Sequence, residues 1–476
     1  MICPNNVVKT DDTDLPSVLV YIPKFKNSDV LTGGNDSTHP AFIVNGVEIP
    51  GFYYGKYQAK VYNSVAYSLP GEDPTASINF DTARARCEAK GAGWHLSTNA
   101  EWAAIALWCK KNGFLPYGNN NYGKDSRESN YKAVPSYYES GKIARVATGT
   151  GPISWSHDKT MAGIWDLNGN VWEWQGGIRL VWGELQILAN NDAADPDNPQ
   201  NATSTCWKAI NAADGALVDP ESKTTDSSAH VSGKTVKLDY VNNKWTYSTS
   251  ITNAKDEGRG CTFYQVAADS SIGDAAKVML RALALLPDSD VTTDVYEGDY
   301  MWWNNGVAER CVYRGGGWYS GAGAGVFYLN GNNSRSNVNT NIGFRAALAL
   351  FVYFLRAKAQ QKHQGKRDAF PGRQGQRYTL VLLCRWRPPG TPSKPRRLAV
   401  VCYAGRRGIR ILRRGDRRGK ISPRNVTTRA IIMTTQGGTR TWIQETSPPF
   451  WREYTRGRIF WTHTTRQQAR SGTATT

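Results

Sequence analysis

Three tryptophans within ten residues, separated by polar side chains, constrain this chain more than anything else in it: residues 163–174 read GIWDLNGNVWEW. Indoles packed that densely cannot all face water, so Trp165, Trp172 and Trp174 are expected beneath a loop whose polar groups bond inward. Asp166, Asn168, Asn170 and Glu173 place hard oxygen donors within eight residues, and two peptide carbonyls can join them. That is the donor chemistry of a Ca²⁺ cage. The alternative is that the same carboxylates bond backbone amides and core arginines, and residue types alone leave both open.

Around this block the chain alternates short strands with two helices. Residues 16–25 (PSVLVYIPKF) are β-branched and aromatic between prolines, and 41–59 read as a hairpin turning at Asn45-Gly46, then a further strand. Residues 79–90 predict a helix capped by Asn79 or Asp81, and 99–111 a second one, with Thr98 and Glu101 in capping-box spacing. Helices framed by short strands predict an α+β body, not a parallel βαβ array. The Asn-, Gly-, Tyr- and Ser-rich stretch 113–156 predicts a long ordered loop, which in a compact domain is usually functional. Residues 175–300 read as an insertion or long connection with hairpin-like runs and a helix near 275–286. The apolar run 346–355 is too short to span a bilayer and predicts a terminal core strand.

The net charge of +18 describes no single part of the chain. Residues 351–476 carry 28 Lys and Arg against 4 Asp and Glu, while 1–350 carry 30 against 36. A mildly acidic body therefore precedes a basic tail. The tail is read as irregular and disordered, and its Arg pairs make nucleic acid a partner only if it is functional. Eight cysteines lie scattered without a C-x-x-C pair, and six histidines lie far apart, which speaks against zinc and against a dense disulfide framework. The N-terminus has no basic and apolar leader pattern, so Sec export is not expected.

Three segments resemble the superfamily shared by formylglycine-generating enzymes and the variable proteins of diversity-generating retroelements. Residues 78–102 (INFDTARARCEAKGAGWHLSTNAEW) resemble the family's "W-x-D-A-x-x-Y-C" helix followed by "R-L-P-T-E-A-E-W", with Asn99 in place of the first Glu. Residues 163–174 resemble "G-L-x-D-M-x-G-N-V-W-E-W". Residues 313–347 resemble "R-G-G-S-W…R…G-F-R", and residues 16–60 look like the start of phage-associated variable proteins. The resemblance implies a C-type-lectin-like fold over about 61–350, with 1–60 leading into it and a variable region at 314–345. It also implies Ca²⁺ as cofactor, held at Asp166, Gly169, Val171 and Glu173.

The third segment separates the family's two branches. The enzymes carry a redox-active cysteine pair after "R-G-G-S-W", whereas residues 318–327 here read WYSGAGAGVF and the nearest thiol is Cys311. The expectation is a non-enzyme, with a formylglycine-generating or sulfatase-modifying enzyme as the alternative. In its place stand Gly317, Tyr319, Ser320, Gly323, Tyr328 and Asn330, followed by Asn332, Asn333, Ser334, Asn337 and Asn339. Adenine-directed mutagenesis of AAC codons leaves Asn where nothing changed, and Ser, Gly or Tyr where adenines changed. These are also the residues of adaptable paratopes. The resemblance thus implies a receptor-binding or display protein of a phage virion or bacterial cytoplasm, with a protein or glycan ligand on a cell surface. Residues 317–341 are expected to be exposed, with Trp318 and Phe344 buried as scaffold.

Overall fold

A computed structural model describes residues 6–349 continuously, and beyond them the segments 379–386, 396–405, 408–413, 426–436 and 439–444. In chain order the first elements are β1 (Asn6–Thr10), β2 (Pro16–Pro23), β3 (Gly51–Gly55), α1 (Phe80–Glu88), β4 (Trp94–Leu96) and α2 (Asn99–Lys111). Then follow β5 (Trp172–Val181), β6 (Glu184–Ile187), β7 (Ser232–Val241), β8 (Lys244–Ser250), β9 (Arg259–Thr262) and α3 (Asp274–Ala282). The body closes with β10 (Tyr300–Trp303), β11 (Arg310–Arg314), β12 (Leu329–Asn333) and β13 (Ala346–Leu348).

Local chemistry sets these boundaries. Asn79 caps α1 by accepting from the Thr82 amide at 2.8 Å. At α2 the capping box closes as expected: Thr98 Oγ1 accepts from the Glu101 amide at 3.2 Å, and Glu101 Oε2 accepts from the Thr98 amide at 3.2 Å. The hairpin turns at Asn45 and Gly46, both at positive φ, between Val44 and Val47. α2 is buried on nearly all sides, which suits its Ala- and Trp-rich sequence.

Two sheets hold the body together. In the smaller, the order β1-β2-β3-β13-β4 brings the first strands and the last into one layer, with Ala347 paired to both Tyr54 and His95. The larger runs β9-β10-β12-β11-β5-β6-β7-β8, and Trp172 at the start of β5 also pairs in parallel with Ile342. Helices packed with these sheets give the α+β body expected. Among the described residues no helix is long and apolar enough to cross a membrane.

Residues 175–300, read as an insertion or a long connection, supply β6 to β9, and Trp245, Tyr247, Phe263 and Leu280 are buried in the same core cluster as Trp102 and Phe327. The hairpin-like runs expected there include the β7–β8 pair. One expectation needs correction. The C-terminal segment, read as irregular, instead contains a five-stranded antiparallel sheet over Thr379–Trp386, Arg396–Gly405, Gly408–Arg413, Val426–Gln436 and Thr439–Gln444. Its Arg content hides β-branched runs such as residues 398–403 (LAVVCY). The Gln-rich part of that reading, 361–376, lies outside the described residues.

Candidate functional site

The tryptophan block forms the floor of the site. Trp165, Trp172 and Trp174 are all buried, and alternation along β5 sends Trp172 and Trp174 to one face and Glu173 to the other. Glu173 meets Arg345: Nη2 lies 2.6 Å from Oε1 and Nε 2.8 Å from Oε2. Arg345 also donates to the Gly55 and Trp165 carbonyls at 2.9 Å each, so one buried guanidinium ties β3, the tryptophan loop and β5 together. Breaking such a pair costs about 3–5 kcal/mol, because the partner charge is left buried.

The residues expected to hold Ca²⁺ do come together, but around a side chain. Gln58 Nε2 lies 3.0 Å from the Val171 carbonyl, 3.1 Å from the Asp166 carbonyl, 3.4 Å from the Gly169 carbonyl and 3.1 Å from Glu173 Oε1. These are amide-to-oxygen distances. The Asp166 carboxylate faces a different group, accepting from the Gly149 amide at 2.9 Å, and burial raises its pKa to about 6. An amide nitrogen thus stands among the oxygens, and Arg345 meets the Glu173 carboxylate.

Above this floor sits a rigid frame. Gly315 and Gly316 adopt positive φ (91° and 89°), and a Cβ at Gly315 would meet the Leu167 carbonyl at 2.8 Å, so the turn into Trp318 requires glycine. Trp318 is 3% exposed and packs on Val171 and Ala144, and Phe344 is wholly buried. The Trp318 amide donates to Asn170 at 3.2 Å, and its carbonyl accepts from Tyr122 at 2.8 Å. The long loop at 113–156 therefore buttresses the segment, and Arg145 Nη1 donates to the Thr340 carbonyl at 2.9 Å.

The expected variable positions divide into two groups. Tyr319 is 51% exposed, with its hydroxyl accepting from Asn341 Nδ2 at 2.7 Å, and Ser320, Gly323, Asn330, Asn332, Asn333, Ser334 and Asn337 are half-buried. Asn339 is exposed. On β12 the alternation is plain: Leu329 and Gly331 point inward while Asn330 and Asn332 reach the surface. The expectation that all of 317–341 is exposed is corrected. Gly317 is buried beside Trp172, Asn341 is buried, and Ala324, Val326, Phe327 and Leu329 are core residues. The Trp102 indole, donating to the Val326 carbonyl at 2.7 Å, pins that middle stretch.

Tyr328 is half-buried as well, its ring 4.5 Å from Trp172 and 6.1 Å from Tyr300. It belongs to an aromatic row, Trp172–Tyr328–Tyr300–Trp302, along the face that carries Asn330 and Asn332. Tyr300 and Trp302 were not singled out in the sequence. Their signal is the period-two pattern of YMWW, which places Met301 and Trp303 in the core and leaves the other two half-buried. Gln58 gave no sequence signal at all.

Beside Gly323 a pocket of about 80 Å³ is lined by Asn120, Arg127, Glu297, Asp299, Ala322 and Gly325 among others. Asp299 Oδ2 accepts from the Phe327 amide at 2.7 Å, and burial raises its pKa to about 8. No reactive thiol faces this surface among the described residues: Cys311 is 1% exposed, and burial pushes its thiol pKa up.

The geometry describes an α+β body whose tryptophan loop and glycine-turned frame present an Asn-, Tyr- and Ser-rich face. Among solved structures, the chain is similar to Treponema denticola variable protein 1, 12% identical, over 73% of this chain and 99% of that one, at a TM-score of 0.26. It is also similar to the Major Tropism Determinant U1 variant, 11% identical, over 72% of this chain and 71% of that one, at a TM-score of 0.25. No protein-family model and no curated protein matches the sequence.

Proposed function

We propose that the chain is a ligand-binding protein of the retroelement-diversified kind, whose outward positions between Tyr319 and Asn339 change identity over an unchanging frame. The observation that carries this reading is a partition within one segment. Outward positions hold Tyr319, Ser320, Gly323, Asn330, Asn332, Asn337 and Asn339, the residue types that AAC-codon diversification leaves. The inward positions between them hold Ala324, Val326, Phe327 and Leu329, which such diversification would ruin. The aromatic row beneath offers rigid contact area, and the Asn and Ser amides and hydroxyls offer adaptable hydrogen bonds. The ligand is accordingly a macromolecular surface, protein or glycan, on a cell. The burial of Cys311, the thiol nearest this segment in the sequence, supports a binding role over an oxidative one.

A combinatorial library tests this. Randomising Tyr319, Ser320, Gly323, Asn330, Asn332, Asn337 and Asn339 together should leave most members resistant to protease challenge. Randomising an equal number of inward positions should leave almost none. Equal losses in the two libraries would refute the proposal.

A further inference from the structure

Four oxygens of the tryptophan loop converge on one nitrogen of the chain itself. Gln58 is wholly buried, and its carboxamide is fixed at both ends: Nε2 faces the Asp166, Gly169 and Val171 carbonyls and Glu173 Oε1, while Oε1 accepts from Asn170 Nδ2 at 2.9 Å. We propose that the Gln58 carboxamide is a built-in substitute for a loop cation, so that this loop is held in shape without metal and is closed to Ca²⁺.

Three observations support it. The carbonyls at 166, 169 and 171 belong to a loop with positive φ at Asp166, Gly169 and Asn170, a conformation that turns successive peptide oxygens toward one point. Such a cluster of acceptors repels itself unless a donor or cation fills it. The Gln58 amide supplies two N–H donors at that point. Glu173, moreover, already has a partner of its own in the chain, because Arg345 meets its carboxylate at 2.6 Å. Asp166 Oδ1 is left without a hydrogen-bond partner, so Gln58 does not satisfy every oxygen of the loop.

The substitution has a further consequence: removing the amide should expose a latent cation site. The full-length chain is melted with millimolar Ca²⁺ and with chelator, as wild type and as Gln58→Ala and Gln58→Met. The wild type is expected to melt at the same temperature in both. Gln58→Met, which keeps bulk but donates nothing, should melt about 5 °C or more lower in either condition. Gln58→Ala leaves the four oxygens facing a cavity and should regain stability with Ca²⁺ alone. A wild-type melting temperature raised by more than about 3 °C by Ca²⁺ would overturn the proposal. So would Gln58→Met melting like wild type, or a folded Gln58→Ala indifferent to Ca²⁺. Should Gln58→Ala not fold, the other two proteins still decide the question.

Discussion

Trp318 and Tyr319 are chain neighbours with opposite roles, and replacing each by alanine separates frame from face. The Trp318 indole is 3% exposed, against Val171 and Ala144. Its truncation leaves a cavity under the whole segment and should cost about 3–5 kcal/mol. Tyr319 is 51% exposed and keeps one side-chain hydrogen bond, to Asn341 Nδ2 at 2.7 Å. Half a tyrosine's burial is worth about 1 kcal/mol, and its one hydrogen bond about 0.5–1 kcal/mol more. For a body of this size roughly 2 °C of melting temperature corresponds to 1 kcal/mol. Trp318→Ala should therefore lower the midpoint by about 6–10 °C, and Tyr319→Ala by about 2–4 °C. Near-UV circular dichroism reports both, since each probes aromatic packing. Their rings contact edge to face at 5.8 Å, so the double variant should depart slightly from additivity. If Tyr319→Ala destabilises as much as Trp318→Ala, the exposed tyrosine is structural and the division of roles is wrong.

Three further outcomes follow from the same geometry. A Cβ at Gly331 would lie 1.9 Å from Trp303, whereas at Gly323 it would meet only Tyr300, at 3.5 Å. Gly331→Ala should thus cost more than about 2 kcal/mol and Gly323→Asn less than about 1, read by denaturant melts. Asp299 has a folded pKa raised to about 8, above its unfolded value, so the native state holds an extra proton between about pH 4 and 8 and stability falls as pH rises through that window. Asp299→Asn should flatten that slope, by on the order of a few kcal/mol across the window, and an unchanged slope would contradict the assignment. Supplied with copper and a sulfatase-type cysteine peptide, the protein should form no aldehyde detectable by hydrazide labelling, given the buried Cys311 thiol.

The elements with local signals were legible in the sequence. The Thr98–Glu101 box, the Asn45-Gly46 turn and the buried tryptophans of residues 163–174 each depend on neighbours a few residues away. The surface positions Tyr319 and Asn339 were legible too, because their residue types mark them. What could not be read is what long-range pairing decides. That Tyr328 packs between Trp172 and Tyr300 depends on two other strands. That residues 259–262 pair with 300–303 rests on strands about forty residues apart. Gln58 reaches its oxygens across more than a hundred residues, and nothing near it in the sequence announces the role.

The central claim, a diversified face on a fixed frame, is tested most directly in the DNA flanking the gene. Sequencing it should reveal a near-copy of the codons for residues 314–345, beside a reverse-transcriptase gene. Every mismatch should have adenine in the copy and fall on outward codons such as those of Tyr319, Ser320 and Gly323. Trp318, Phe327, Phe344 and Arg345 should be matched. The absence of a near-copy, or mismatches at those buried codons, would contradict the account.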